Sequence, residues 1–254
     1  MARIISVVNQ KGGVGKTTTA VNFAACLGVL EKRVLLVDMD PQGNATSMSS
    51  IKDDSFNTVY DTMTDHSKNA VYDTELPFLK IMPSDAELTG AEVELPSLDN
   101  GEYILREVLD KMRDDFDYII IDSPPALNIL TVNNMTASDG IIIPIQCEYF
   151  ALEGVSRITG TYEKIKSMNP EIEIDGILLT MYDRRLRLTF EVESDVRGFF
   201  GESVFKTVIP RNVKLTESPS YGCPIIMYDM ASVGAECYME MAKEYLERRK
   251  KREK

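Results

Sequence analysis

The stretch Asn9-Gln-Lys-Gly-Gly-Val-Gly-Lys-Thr-Thr-Thr19 restricts this chain more than any other part of it. It follows a short apolar run, Ile4 to Val8, and precedes Ala20 to Leu27, whose apolar residues recur at helical spacing. Strand, loop and helix in that order are the setting in which a phosphate-binding loop works. Glycines 12, 13 and 15 let the backbone curl with its amides inward, and the helix start adds unpaired N–H groups and a positive dipole end. Lys16 can reach outer phosphates, and the Thr17 hydroxyl is placed to ligate a magnesium ion that bridges them. Gly12-x-x-Gly15-Lys16-Thr17 matches only the last part of the general pattern, and Lys11 is the departure that stands out. Its ammonium is either a solvated loop charge or a second cation aimed at phosphate, in its own subunit or in a neighbour.

A chain of 254 residues buries one substantial core, so one domain over residues 1–254 is expected. No apolar run approaches the roughly 20 residues that span a bilayer, and the first residues lack a signal-peptide pattern. The expected location is therefore cytoplasmic. Cys26, Cys147, Cys223 and Cys237 are irregularly spaced, and His66 is the one histidine. That pattern reads as free thiols, and it leaves zinc-hydrolase or Ser-His-Asp chemistry nothing to stand on.

Arg33-Val-Leu-Leu-Val-Asp38 reads as a second buried strand, which makes a βαβ unit with parallel pairing. Asp38 and Asp40 leave its carboxyl end, where ligands of open α/β sheets bind. A short helix is expected over Thr58 to Met63, a strand over Phe78 to Met82, then a helix capped by Ser84 with Glu87 completing a capping box. A helix over Gly101 to Arg113 leads to Tyr118-Ile-Ile-Ile-Asp122, a second apolar strand ending on an acid and followed by Ser123-Pro-Pro125. That acid is placed to hold magnesium opposite Thr17, and the segment reaching Asn128 could sense a terminal phosphate. Beyond it the pattern predicts strands over Gly140 to Ile145 and Ile174 to Met181, helices over Ala151 to Met168 and Thr189 to Phe200, a short strand over Val204 to Ile209, and a last helix over Ser232 to Arg249. Alternation of this kind indicates an α/β, doubly wound, mostly parallel sheet flanked by helices.

Lys11-Gly-Gly-Val-Gly-Lys-Thr-Thr18 resembles the deviant Walker A loop of the ParA/MinD family of P-loop ATPases, and Asp38-Met-Asp-Pro-Gln-Gly-Asn44 resembles its second motif. Ile121 to Pro125, Gln146-Cys-Glu-Tyr-Phe-Ala-Leu-Glu-Gly154 and Ile209-Pro-Arg-Asn-Val213 are similar to the ParA/Soj chromosome-partition branch in particular. The resemblance implies ATP and Mg2+ as ligands, with Lys11, Gly12, Gly13, Val14, Gly15, Lys16, Thr17 and Thr18 around the phosphates. It implies that Lys11 crosses an ATP-bound homodimer to the partner's phosphates, that Asp40 positions or activates the hydrolytic water, and that Asp38 supports the shell of a metal held by Thr17 and Asp122. Pro210 and Asn212 would lie against the adenine. The activity implied is slow ATP hydrolysis coupled to dimerisation, with non-specific DNA and a ParB-like (Spo0J-like) centromere-binding protein as partners and a nucleoid-associated location.

A net charge of -12 speaks against nucleic acid, so its distribution matters. Asp183 to Lys214 carries net +2 and Lys243 to Lys254 net +4, leaving -18 elsewhere. Arg185 and Lys214 match positions that carry DNA-contacting basic residues in similar proteins. A MinD-like membrane-associated ATPase is the alternative, but after Leu246 the tail has no apolar face. The cluster-bearing reductases of the same superfamily need paired cysteines that this sequence does not supply.

Overall fold

The computed structural model describes residues 1–51, 57–148 and 160–252. Seven strands form one sheet: β1 (Arg3–Val7), β2 (Val34–Asp38), β3 (Tyr72–Asp73), β4 (Leu79–Met82), β5 (Tyr118–Asp122), β6 (Gly140–Gln146) and β7 (Glu173–Thr180). Their order is β3-β4-β2-β5-β1-β6-β7, parallel throughout except for β3 against β4. Strands buried on both faces need apolar residues at every position, and β2 is buried at all five of its residues.

Side chains alternate between two cores. Val34, Leu36 and Ile120 face a layer built from α1 (Lys16–Val29) and the C-terminal helix Val233–Arg252. Leu35, Val37, Ile119 and Ile121 face α3 (Val59–Thr64), α4 (Thr89–Glu94), α5 (Ile104–Asp110) and α6 (Ile129–Ala137), which follow α2 (Asn44–Ser47) in the chain. β6 and β7 pack against helix Arg187–Phe200 through Ile177, Leu179, Val192 and Val196. Each such side chain contributes about 1.5–3 kcal/mol through burial, enough in sum to fix the strand register.

Register is what builds the site. Asp122 pairs with Val7 on one side and Asp38 on the other, so three strands end level with one another at the carboxyl edge. At the opposite edge Arg3 makes a two-pronged ion pair with the buried carboxylate of Asp175 on β7, 2.7 and 3.0 Å, and the Tyr245 hydroxyl of the last helix donates to the same group at 2.8 Å.

The sequence pattern and the structure differ at particular places. Asp85, not Ser84, caps the turn Ala86–Leu88 by accepting from Glu87 N, while the Ser84 amide donates to Thr46 Oγ1. No strand spans Val204 to Ile209. Val204 makes only an isolated bridge, and the amides of Lys206 and Thr207 donate to the Glu244 carboxylate instead of to a neighbouring strand. The helix expected over Gly101 to Arg113 is shorter, a 3-10 turn at Gly101–Tyr103 followed by α5. Of the helix expected over Ala151 to Met168, residues 151–159 lie outside the described residues, as do 149–154 of the Gln146 to Gly154 motif, and 160–166 are helical. β3 was not foreseen.

Candidate active site

α1 begins without a cap. Gly15 at its N-cap has φ +88°, Gly13 has φ +74°, no side chain satisfies the first-turn amides and no acid sits in that turn. Glycine adopts left-handed backbone of this kind far more readily than residues that carry a Cβ. The first-turn amides of this long helix, behind a glycine loop, are therefore donors available to an anion.

The loop before it is pinned from outside. Asn9 Nδ2 donates to Pro144 O at 2.7 Å while Asn9 Oδ1 accepts from Lys11 N at 2.9 Å. Thr180, at the end of β7, donates to Val14 O at 2.9 Å. The ends of β6 and β7 thus set the shape of residues 9–15. Gly12, Gly13 and Lys11 remain partly or fully exposed, Val14 is buried, and Thr17 and Thr18 are half-buried.

Lys16 folds back inside this curl, buried, with Nζ 3.3 Å from Lys11 O. Burial lowers its pKa, and the charges of Asp122 and Asp40 oppose that shift. Asp122 is wholly buried and neither of its carboxylate oxygens has a hydrogen-bond partner. Burial pushes its pKa well up, reinforced by the negative charge of Asp38; the Thr17 hydroxyl is near enough to offset part of that. A buried carboxylate left without donors is costly unless something cationic joins it. Thr17 and Asp122 therefore fit a divalent cation as the donor pair provided by the protein.

Asp38 has other work. Its oxygens accept from Asp40 N at 3.1 Å, Thr46 N at 2.7 Å and Thr46 Oγ1 at 2.8 Å, and burial raises its pKa to about 6. These bonds shape the turn after β2. Asp40 projects from that turn, buried, with Oδ1 accepting from Gln42 N at 3.0 Å. Asn128, expected to sense phosphate, caps α6 and donates to Glu92 at 2.7 Å.

Beside the loop lies a cavity of about 610 Å³, lined among others by Gly15, Thr18, Pro210, Asn212 and Tyr238. Its size suits a nucleobase with its sugar. Asn212 accepts from Leu215 N at 3.2 Å and so caps helix Val213–Glu217 while it faces this space. Met181, also on the wall, holds φ +50°, a strained value for a side chain of its kind.

The basic residues look different from the charge count. Arg185 lines the same cavity and pairs with Asp183 at 2.7 Å; Lys214 pairs with Glu217 at 3.0 Å. In the tail, Arg248 is held by Glu244, and Arg249 and Arg252 reach Glu173 and Asp175. Much of the +4 counted there is spent inward. Arg184, next to Arg185, makes no ion pair among the described residues. Cys26 and Cys147 are buried and all four thiols are free. His66 is exposed, 2.7 Å from Lys111 Nζ.

Sequence reading missed Asn9, Thr46 and Thr180, which hold the loops. Only the polar residue at the end of an apolar strand hinted at Thr180. No described helix is long and apolar enough to cross a membrane.

The AAA domain family matches residues 2–174. The chain is 49% identical over 248 residues to the sporulation initiation inhibitor protein Soj of Bacillus subtilis, covering 96% of this chain and 98% of that protein. It is 48% identical over 252 residues to the chromosome partitioning protein ParA of Myxococcus xanthus, covering 98% and 89%. Among solved structures, the cobyrinic acid a,c-diamide synthase of Mycobacterium smegmatis with bound ADP and magnesium superimposes with a TM-score of 0.81, at 34% identity over 96% of this chain and 93% of that one. A level carboxyl edge, a helix start behind a pinned glycine loop, and 48–49% identity to these two relatives over nearly the whole chain lead to one conclusion: the chain belongs to the ParA/Soj family of chromosome-partitioning ATPases.

Proposed function

We propose that residues 1–254 form one ATP-driven switch: a P-loop ATPase that dimerises with ATP, binds DNA non-specifically and hydrolyses ATP slowly to drive chromosome or plasmid partition. The observation that carries the nucleotide chemistry is Asp122, a buried carboxylate without donors, level with Asp38 and beside the bare start of α1. Magnesium held by Thr17 and Asp122 would neutralise charge on the β- and γ-phosphates. Among the described residues no three His, Cys, Asp or Glu side chains converge on a metal site, so the triphosphate itself would complete the shell.

The chain's own residues divide the remaining work. Amides of residues 12–18 and Lys16 cradle the phosphates; Lys16, already buried, loses little further hydration on meeting them. Asp40, anchored through Oδ1 by Gln42 N, orients the attacking water with its other oxygen and takes its proton as the water oxygen bonds to the γ-phosphorus and the bond to the β–γ bridging oxygen breaks, releasing ADP. Pro210 and Asn212 hold the base. Lys11 crosses to the phosphates of a second subunit and completes the charge set only in the dimer. Positioning and neutralisation dominate chemistry of this kind.

DNA binding rests on the family and on a local basic surface. Exposed ion pairs such as Arg185 with Asp183 and Lys214 with Glu217 are weak, about 0–1 kcal/mol each, so a row of DNA phosphates can exchange for them with release of counterions. A ParB-like centromere-binding protein with a basic segment is the activating partner this reading implies. The alternative is a MinD-like membrane cycle, and co-sedimentation with anionic liposomes in the presence of ATP tests it directly.

The deciding measurement is the ATPase rate per subunit against protein concentration, with and without random duplex DNA. We expect the rate to rise with concentration and with DNA, and Lys11→Ala to keep ATP binding while losing dimers and turnover. A flat rate indifferent to DNA would leave an ATPase and remove the switch.

A further inference from the structure

Glu148 stands just past the end of β6 and ties together segments far apart in sequence. Its Oε2 lies 3.3 Å from Lys11 Nζ, in the phosphate loop. Its Oε1 accepts from Gln146 Nε2 at 2.5 Å and lies 3.5 Å from an Arg211 guanidinium nitrogen. Arg211 belongs to the segment that walls the large cavity. A single carboxylate thus holds the loop's additional lysine and the cavity's arginine at once, which neither the phosphate-loop fold nor the cavity requires.

The tie is built to be broken. The Lys11 and Glu148 side chains are 39% and 46% exposed, and an exposed ion pair changes an equilibrium by on the order of fivefold or less. A triphosphate held by a second subunit carries several negative charges against the carboxylate's one, and it would draw Lys11 by the same attraction that now holds it. While the tie stands, Lys11 Nζ is turned onto its own subunit and its charge is largely compensated.

We infer that Glu148 is a positioning residue that parks Lys11 in the lone subunit, so that the ammonium is released only toward the nucleotide held by a second copy of this chain. This rests on the reading that Lys11 acts across the dimer. A dimer contains two such ties, so removing both shifts the association constant by the square of the single effect.

The test is the dimer dissociation constant of the full chain by sedimentation equilibrium, with magnesium and a non-hydrolysable ATP analogue. Glu148→Gln is expected to tighten the dimer by about five- to twenty-fivefold, Glu148→Asp, which keeps the charge, to stay near the parent, and Glu148→Gln to add nothing in a Lys11→Ala background. An unchanged or weaker dimer for Glu148→Gln, the same gain without Lys11, or equal behaviour of the Asp and Gln variants would overturn the inference. Normal dimers in Lys11→Ala alone would overturn the crossing role of Lys11, and this inference with it.

Discussion

At the carboxyl edge of the sheet Asp122 is buried with no hydrogen-bond partner, whereas Arg185 and Lys214 stand in water with an acidic neighbour apiece. The first arrangement stores an electrostatic cost inside the fold, and a cation relieves it. The second stores almost nothing, because water screens each pair. Ligand binding at the edge should therefore be strong and coupled to stability, and binding at the basic surface should be weak, additive and sensitive to salt.

The largest effect expected is at Asp40. Asp40→Ala should lower turnover about 10²–10⁴-fold with ATP binding retained, read by steady-state rate beside equilibrium binding; a loss of both together would break the separation between cradle and base. Next comes Glu244, a carboxylate of the basic tail that behaves like part of the core. Burial alone would raise its pKa, but the Lys206 and Thr207 amides, the Thr207 hydroxyl and Arg248 bring it below the ordinary 4.5. A depressed carboxylate contributes stability that is present above the unfolded-state value and is lost as pH falls through the folded one. Glu244→Ala should therefore cost about 2 kcal/mol near neutral pH, and the difference from the parent should shrink as pH falls below about 4.5. Denaturant melts at both pH values check it.

Asp122→Asn should move stability the other way. With the buried charge removed, the nucleotide-free chain should gain about 1 kcal/mol, seen as a higher melting temperature, while the rise in melting temperature on adding ATP and magnesium should largely disappear. A variant no more stable than the parent would mean that Asp122 is not carrying an uncompensated charge. The smallest stability effects belong to Arg185→Ala and Lys214→Ala, under about 0.5 kcal/mol each. Each should lower affinity for random duplex and reduce the slope of log affinity against log salt by about 1. Unaltered slopes would remove both residues from the DNA surface.

The strands that matter most were legible because a parallel strand buried on both faces is a continuous apolar run, and runs ending in Asp38 and Asp122 could be placed at one edge. The glycine loop was legible because left-handed backbone selects its residues. Val204 to Ile209 misled because its apolar residues look like a strand's, while the decisive partner, Glu244, is 37 residues beyond Thr207. Ser84 misled because Asp85, the next residue, offers the same capping chemistry one position later. The role of Glu148 is not legible in the sequence, since nothing local says that positions 11, 148 and 211 meet. The net charge of the tail is legible in its residues but its direction is not, because Arg249 and Arg252 turn toward Glu173 and Asp175.

The clasp between Arg3, Asp175 and Tyr245 bears on how the chain assembles as it is made. β1 leaves the ribosome before every other described element, yet it lies between β5 and β6, and one face of its layer is closed by the helix Val233–Arg252, where Tyr245 meets Phe23 of α1 edge to face at 5.2 Å. At synthesis speeds of about 5–20 residues per second, the segment carrying the phosphate loop emerges many seconds before the helix that covers it. During that interval the apolar side of α1 has no permanent partner. Chaperone demand should therefore be greatest late in translation, and a nascent chain arrested before Val233 should expose the surface around Phe23 to proteases that cannot reach it once the helix has docked.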